Sequence, residues 1–395
     1  MARQRLIDSA KRTLAHHRAG TQDQADDVYR VPATNYYDPT RWRQEMDAIF
    51  RRLPLVMGFS AELREPGSYK AMEAAGVPVL MTRGNDGAIR AFVNMCSHRG
   101  AIVVEDGVGT ARRFSCPYHA WTYDLTGDLV GIPDRDDFGE LDVSCHGLTP
   151  LAVAERAGII WVSITPGASL DIDTHLQGYD EVLDYLDIGS CTPVGTNVIA
   201  GPNWKVAYDG YLDLYHLPVL HRASFGPDMP NKAIFDAWGP HQKVSSPSGF
   251  IERFEHLPDD EWPDEALFGG LATIFPHVSV ASFDSGGKIL MISQLFPGDT
   301  PDTSVTVQNF LAVGEVDDER REKITQTMAF LEHVVRDEDY YTGNRIQRSV
   351  KTGAKSHFLF GRNESGCQRF HKWVDALIAT DDADLPALYE RGVDI

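Results

Sequence analysis

Long apolar runs are missing from this sequence: none approaches the ~20 residues that a membrane span needs. The opening residues, Met1-Ala2-Arg3-Gln4-Arg5, lead into a polar amphipathic stretch without the apolar core of a signal peptide. Both absences predict a cytoplasmic protein. Cysteine is scarce, with five in 395 residues: Cys96, Cys116, Cys145, Cys191 and Cys367. So odd and sparse a set argues against a disulfide framework and leaves metal ligands or buried thiols. Positive charge is in deficit, with 37 Lys and Arg against 57 Asp and Glu, a formal net charge of −20. That sign repels nucleic acid and anionic membranes and favours solubility. Internal repeats and low-complexity segments are absent too.

What is present is an ordinary globular composition, 43% hydrophobic and 24% charged, in a chain long enough for two domains. Leu6, Ala10 and Leu14 at four-residue spacing predict a helix from Arg5 to His17. Asp38-Pro39 reads as the N-cap and first-turn proline of a second helix, running to about Arg51. From Leu53 to about Pro166 short apolar runs alternate with glycine turns. Val77–Thr82 and Ala88–Asn94 flank Gly84-Asn85-Asp86-Gly87, a hairpin signal. Trp121–Asp124 and Leu129–Ile132 flank Thr126-Gly127, and Gly158–Ile164 is a further strand. From Gly167 onward helices and strands mix. Thr273–Phe283, Lys288–Phe296 and Thr303–Val313 read as three consecutive antiparallel strands, and a long helix starts near Asp317. The expected division is a helical segment over 1–52, an all-β domain over 53–166 and a mixed domain over 167–395.

Two constellations carry chemistry. The first reads Cys96-Ser97-His98, then Cys116-Pro117-Tyr118-His119. Each half sits at a loop beside a predicted strand, so two loops can converge on one centre. A zinc site uses the same ligands, but zinc fingers pair cysteine with cysteine and histidine with histidine along the chain. Here each loop supplies one of each. A Rieske cluster wants that mixture, with two thiolates on one iron and two imidazoles on the other.

The second constellation is Asp209, Asp213, His216 and His221, in a segment otherwise rich in Tyr and Leu. Asp209, Asp213 and His216 fall at i, i+4 and i+7 and would share one helix face, with Tyr208, Leu212 and Tyr215 on a more apolar one. His216 and His221 would be splayed by about 140° on a regular helix. Pro218 is expected to break the helix there and let both reach one metal. Asp339 extends the apolar stripe Ile324, Met328, Leu331 and Val335 by one turn, whereas Asp337 and Glu338 are expected to point elsewhere. Two imidazoles and one carboxylate make a facial triad that leaves iron(II) open positions for O2.

Both constellations resemble the alpha subunits of Rieske non-haem iron oxygenases, the aromatic ring-hydroxylating family, over nearly the whole chain and in the expected order. The resemblance implies an α+β fold: an all-β Rieske [2Fe–2S] domain plus a helix-grip-like catalytic domain with a large antiparallel sheet. It places the cluster on Cys96, His98, Cys116 and His119, with the cysteines on the inner iron. The spare cysteine pair of respiratory Rieske proteins is absent, which favours the oxygenase branch over an electron carrier. The family pattern Asp, two residues, His, four residues, His falls on Asp213, His216 and His221. The late acid pair and following Gln fall on Glu338, Asp339 and Gln347. Iron ligation is thereby carried onto His216, His221 and Asp339, and the acid bridging to a cluster histidine onto Asp213. Asp209 stands where ring dioxygenases often have Asn, and its role is open. The resemblance implies electrons from NAD(P)H through a flavin reductase or ferredoxin. It also implies O2 as co-substrate, a homotrimer or homohexamer with or without a β subunit, and a small hydrophobic substrate. Cis-dihydroxylation competes with mono-oxygenation, including O- or N-demethylation; Asp at 213 leans away from quaternary-ammonium substrates. Arg99, Arg112 and Arg113, close in sequence to the cluster ligands, are candidates for docking an acidic electron donor.

Overall fold

The computed structural model describes residues 2–394. The chain divides into two compact units. Phe50–Ile172 with Ile188–Ser190 form the smaller, and the residues before Phe50, Asp173–Asp187 and those from Cys191 onward form the larger.

The smaller unit is built from antiparallel sheets. One has five strands, in the order Pro150–Leu151, Ile89–Val93, Val77–Arg83, Ser68–Ala74, Gly107–Thr110. The turn signal at 84–87 joins two of them with Arg83 opposite Ile89. A three-stranded sheet of Arg113–Ser115, Thr122–Asp124 and Leu129–Gly131 flanks the second Cys/His motif, one strand before it and two after. Leu80, Phe92, Phe114, Tyr123 and Leu129 form a core that includes Cys96 and Cys116.

The larger unit opens on a helix, Ala2–Ala19, that buries Leu6, Ala10 and Leu14. Asp38 caps the next helix, accepting from the amides of Thr40 at 2.7 Å and Arg41 at 2.9 Å. That helix, Pro39–Glu45, continues through a wider π turn to Phe50. The centre of the unit is a seven-stranded antiparallel sheet. Its spatial order is Thr192–Gly201, Ser304–Ala312, Lys288–Pro297, Val278–Asp284, Leu271–Ile274, His241–Ser245, Ile234–Trp238. The expected single strand Thr273–Phe283 is two strands. Pro276 has no amide hydrogen to give a ladder, and the chain reverses there, with the His277 amide bonded to the Ile274 carbonyl.

A helix, Trp204–Leu212, lies across this sheet, and its Tyr208 hydroxyl donates to the Val278 carbonyl at 3.2 Å. Its N-terminal turn is fixed by a buried ion pair, Lys205 Nζ to Glu45 Oε2 at 2.5 Å, and by Trp204 Nε1 donating to the same carboxylate. A second wall comes from Asp318–Val334, a π segment Val335–Asp339, and Tyr340–Val350, continuous in the chain.

Candidate metal centres

The two Cys/His loops of the smaller unit share one backbone design. The Cys96 amide donates to the Ala101 carbonyl and that of Gly100 back to Cys96. The Cys116 amide likewise donates to Trp121, and that of Ala120 back to Cys116. Each loop closes through a left-handed residue, Gly100 at φ 78° and Ala120 at φ 56°. Ala120 adopts a conformation usually left to glycine, so the loop geometry outweighs a local strain. Both thiols are free and buried, while His98 is half-buried and His119 is exposed. The imidazoles meet edge to face, centroids 4.7 Å apart, and Trp121 stacks on His98. Buried His98 Nδ1 has no hydrogen-bond partner among the described residues, as a ring nitrogen reserved for a metal would. No three of these four donors crowd around one point: the one such group within 4.8 Å among the described residues lies elsewhere. A lone zinc needs that crowding, whereas a cluster of two irons separates its cysteine and histidine ends. The donor set therefore fits a [2Fe–2S] group. Sequence reasoning missed Tyr123, whose hydroxyl lies 3.2 Å from Cys96 Sγ and accepts from the Ser97 amide at 2.9 Å. Burial and the neighbouring thiol push that phenol up to about 12, so it stays a proton donor.

The crowded group is His216, His221 and Asp339. Its local structure differs from the expected single helix face. The helix ends at Leu212, and Asp213 is extended, φ −110° and ψ 122°. Tyr215 is 61% exposed rather than part of an apolar face. His216 and His221 instead bracket one short turn, Leu217–Leu220, closed by Leu220 N to His216 O at 2.8 Å. Pro218 sits in the first turn, where a missing amide hydrogen costs nothing, so it starts this turn rather than breaking a longer helix.

The ring nitrogens divide their work. His216 Nδ1 lies 3.1 Å from Asp213 Oδ2, and His221 Nδ1 lies 2.7 Å from Glu338 Oε2. Both Nε2 atoms face Asp339 Oδ1, at 3.7 Å and 3.2 Å. A carboxylate behind each imidazole fixes tautomer and orientation, as metal-ligating histidines require. Burial alone would lower the His221 imidazole, but Asp339 and Glu338 outweigh it and hold it above the usual histidine range. Glu338 was expected to point away. The wider π turn at Val335–Asp339 lets two consecutive acids reach the same histidine, and Ser224 Oγ also donates to Glu338, at 2.7 Å. Asp337 does face elsewhere, to His333 and Arg336. Asp209 stays out of the triad. Its carboxylate accepts from the Tyr36 hydroxyl and lies 2.9 Å from His371 Nε2, tying the helix to two other elements. Gln347 Nε2 donates to the Tyr36 carbonyl at 2.9 Å.

A cavity of about 360 Å³ opens on the triad. Leu214, Phe225, Leu271, Phe283, Met291 and Val335 supply much of its wall. Its ionisable lining is Asp213, His216, His221 and Asp339 with the phenols Tyr211 and Tyr340, and among the described residues no Lys or Arg lines it.

Paired centres of these two kinds in one chain define the class: a Rieske-type non-haem iron oxidoreductase. Residues 54–147 match the Rieske [2Fe-2S] domain, and residues 180–380 match the ring hydroxylating alpha subunit (catalytic domain). The chain belongs to that ring-hydroxylating alpha subunit family of Rieske oxygenases, whose cofactors are a [2Fe–2S] cluster and a mononuclear iron. It is 30% identical over 225 residues to the glycine betaine monooxygenase oxygenase subunit of Chromohalobacter salexigens, covering 56% of this chain and 49% of that one. Two solved structures, each at 22% identity, share the fold. One is a quaternary ammonium Rieske monooxygenase bound to an inhibitor, TM-score 0.76 over 89% of this chain and 96% of that one. The other is naphthalene 1,2-dioxygenase from Rhodococcus sp. bound to indole, TM-score 0.73 over 96% and 100%. No helix among the described residues is long and apolar enough to cross a membrane.

Proposed function

We propose that this chain is the terminal oxygenase of a multicomponent system that hydroxylates a small, neutral, hydrophobic substrate of aromatic type. The observation that carries it is the pair His216 and His221, each with Nδ1 held by a carboxylate and Nε2 turned to Asp339 beside an apolar cavity. In this reading Cys96, His98, Cys116 and His119 hold the cluster within residues 53–166. His216, His221 and Asp339 hold iron within residues 167–395, on which residues 1–52 pack. When bound, the two groups supply stored electrons and O2 activation. The chain's own residues do the rest. Asp213 orients His216 and stands where the family has its bridging acid, which would link the iron site to a cluster histidine of a neighbouring subunit. Glu338 orients His221. The apolar wall positions the substrate and excludes water. Electrons come from NAD(P)H through a ferredoxin or flavin reductase, docking beside Arg99, Arg112 and Arg113. The family assembles as multimers; a homotrimer or homohexamer in the cytoplasm, with or without a β subunit, fits this chain.

The glycine betaine relative favours a second reading, an O- or N-demethylating monooxygenase, with a quaternary amine as the substrate of the N-demethylating case. The cavity weighs against a substrate that carries a carboxylate, since no Lys or Arg lines it among the described residues. A turnover screen with a surrogate reductase decides. NADH-dependent O2 uptake is expected to couple to product with neutral aromatic compounds. Coupling with quaternary ammonium compounds alone overturns the substrate assignment.

A further inference from the structure

The basic side chains of the smaller unit are nearly all in use. Lys70 pairs with Glu62, Arg83 with Glu155 and Arg90 with Asp86. Arg64 and Arg135 donate to the carbonyls of Gly189 and Leu141, and Arg51, Arg52 and Arg156 have partners too. Arg99 lies over the Tyr118 ring, 5.0 Å from its centroid. Among the described residues of this unit, that leaves Arg112 and Arg113. Both are exposed, and neither side chain has a hydrogen bond, ion pair or ring contact. The two line one groove, of about 890 Å³, with Gly67, Asn85, Thr110 and Asp124. The acid there has other work: Asp124 Oδ1 accepts from the amides of Thr126 at 2.8 Å and Asp128 at 3.1 Å. Asp86, next to Asn85 in the chain, is held by Arg90. Two arginines against one acid give the groove a net positive lining in a chain of net charge −20.

Position gives the groove its meaning. Arg113 opens the strand that runs into Cys116 three residues on, roughly 10 Å along an extended chain. Arg113 stands opposite Asp124 and Ser115 opposite Thr122, which sets the groove at one end of this ladder and the Cys116–His119 loop at the other. The Cys116 thiol is buried, so it faces inward from the loop. The exposed imidazole end is already furnished: the Tyr118 ring lies against His119, centroids 3.8 Å apart, and Arg99 covers Tyr118. In the reading above, that end meets the iron site of the next subunit. A donor protein docked there would compete with it for the same surface.

Resting on the multicomponent reading above, and narrowing its three arginines to two, we infer that a ferredoxin-type donor docks at this groove, its acidic face against Arg112 and Arg113, while the end that carries His119, Tyr118 and Arg99 stays free. One electron leaves the donor, which is oxidised, and reduces the cluster from the side of the groove. Exposed charges of opposite sign mainly raise the rate of encounter, so the signature belongs in the rate and its dependence on salt.

The test uses the metal-loaded protein and, as probe, a reduced acidic plant-type [2Fe–2S] ferredoxin, whose potential lies below that of a Rieske centre, so that transfer runs downhill. Stopped-flow absorbance follows reduction of the cluster at ionic strengths of about 0.01 M and about 1 M. The native protein is expected to be reduced faster at the lower strength. Arg112→Glu with Arg113→Glu should slow that reduction about 10-fold and remove its salt dependence, and Arg112→Lys with Arg113→Lys should restore both. Arg99→Glu should slow it by less than about 2-fold. Cluster absorbance and an unchanged reduction potential certify that each variant keeps its centre and its driving force. Slowing by Arg99→Glu as large as that of the double variant, or a shifted potential in the double variant, overturns the groove and leaves docking beside the cluster standing. A native protein that is not reduced faster at low salt, or variants that are all reduced at the native rate, overturn the groove and the docking of an acidic donor at these arginines together.

Discussion

Glu338 and Asp339 are neighbours in the chain with different work. Asp339 faces both Nε2 atoms of the triad, while Glu338 stands behind His221. Supports of this kind typically set metal affinity by about 10–100-fold. Glu338→Gln keeps the shape and removes the charge. Iron content after dialysis against a chelator is expected to fall by that order, with cluster absorbance retained; iron held as tightly as in the native protein would show that Glu338 is an ordinary surface acid. The six candidate ligands other than Asp339 were legible because Cys and His at such spacings are rarely structural. Asp339 was legible as a carboxylate placed on an apolar stripe. Glu338 and Tyr123 were not. The partner of Glu338 lies 117 positions away, and that of Tyr123 lies 27 away. No local periodicity reports a contact of that range.

At the scale of elements, the strands and hairpins of the smaller unit follow from alternation and glycine turns, and the first helix from its four-residue apolar spacing. The departures sit at the iron triad and the sheet beside it. A regular helix over 204–216 would point Asp209, Asp213 and His216 one way. Instead the helix stops at Leu212, freeing Asp213 to reach His216. The π turn before Tyr340 is equally invisible in composition, because it is imposed by what its side chains touch. The start of the helix Trp204–Leu212 is anchored by Lys205, buried against Glu45. Burial lowers the Lys205 ammonium, although Glu45 works in the opposite direction. Lys205→Met removes one partner and leaves Glu45 to Arg41 and Trp204. Breaking a buried pair this way costs about 3–5 kcal/mol. A marked fall in the thermal midpoint with early loss of triad iron is expected. An unchanged midpoint would mean that the pair anchors nothing.

At the scale of the whole molecule, the proposed multimer lets the cluster of one subunit serve the iron of the next through Asp213, in a ring of cyclic symmetry. Cys96→Ser disables the cluster and His216→Ala disables the iron, so each homomultimer should be inactive. Co-expressed mixtures should regain part of the activity. Verified mixed multimers with no recovery would exclude transfer between subunits and leave Asp213 with its contact to His216 alone. Beneath that question lies the presence of two separate iron sites in one chain, which has a direct signature. Purified protein should hold about three irons per chain, two in the cluster and one at the triad, and show the visible absorbance of a Rieske centre. Iron analysis and absorbance of His216→Ala are the decisive pair of readings: one iron should be lost and the visible spectrum kept. A variant that loses its spectrum, or that keeps all of its iron, would contradict the assignment of the two sites.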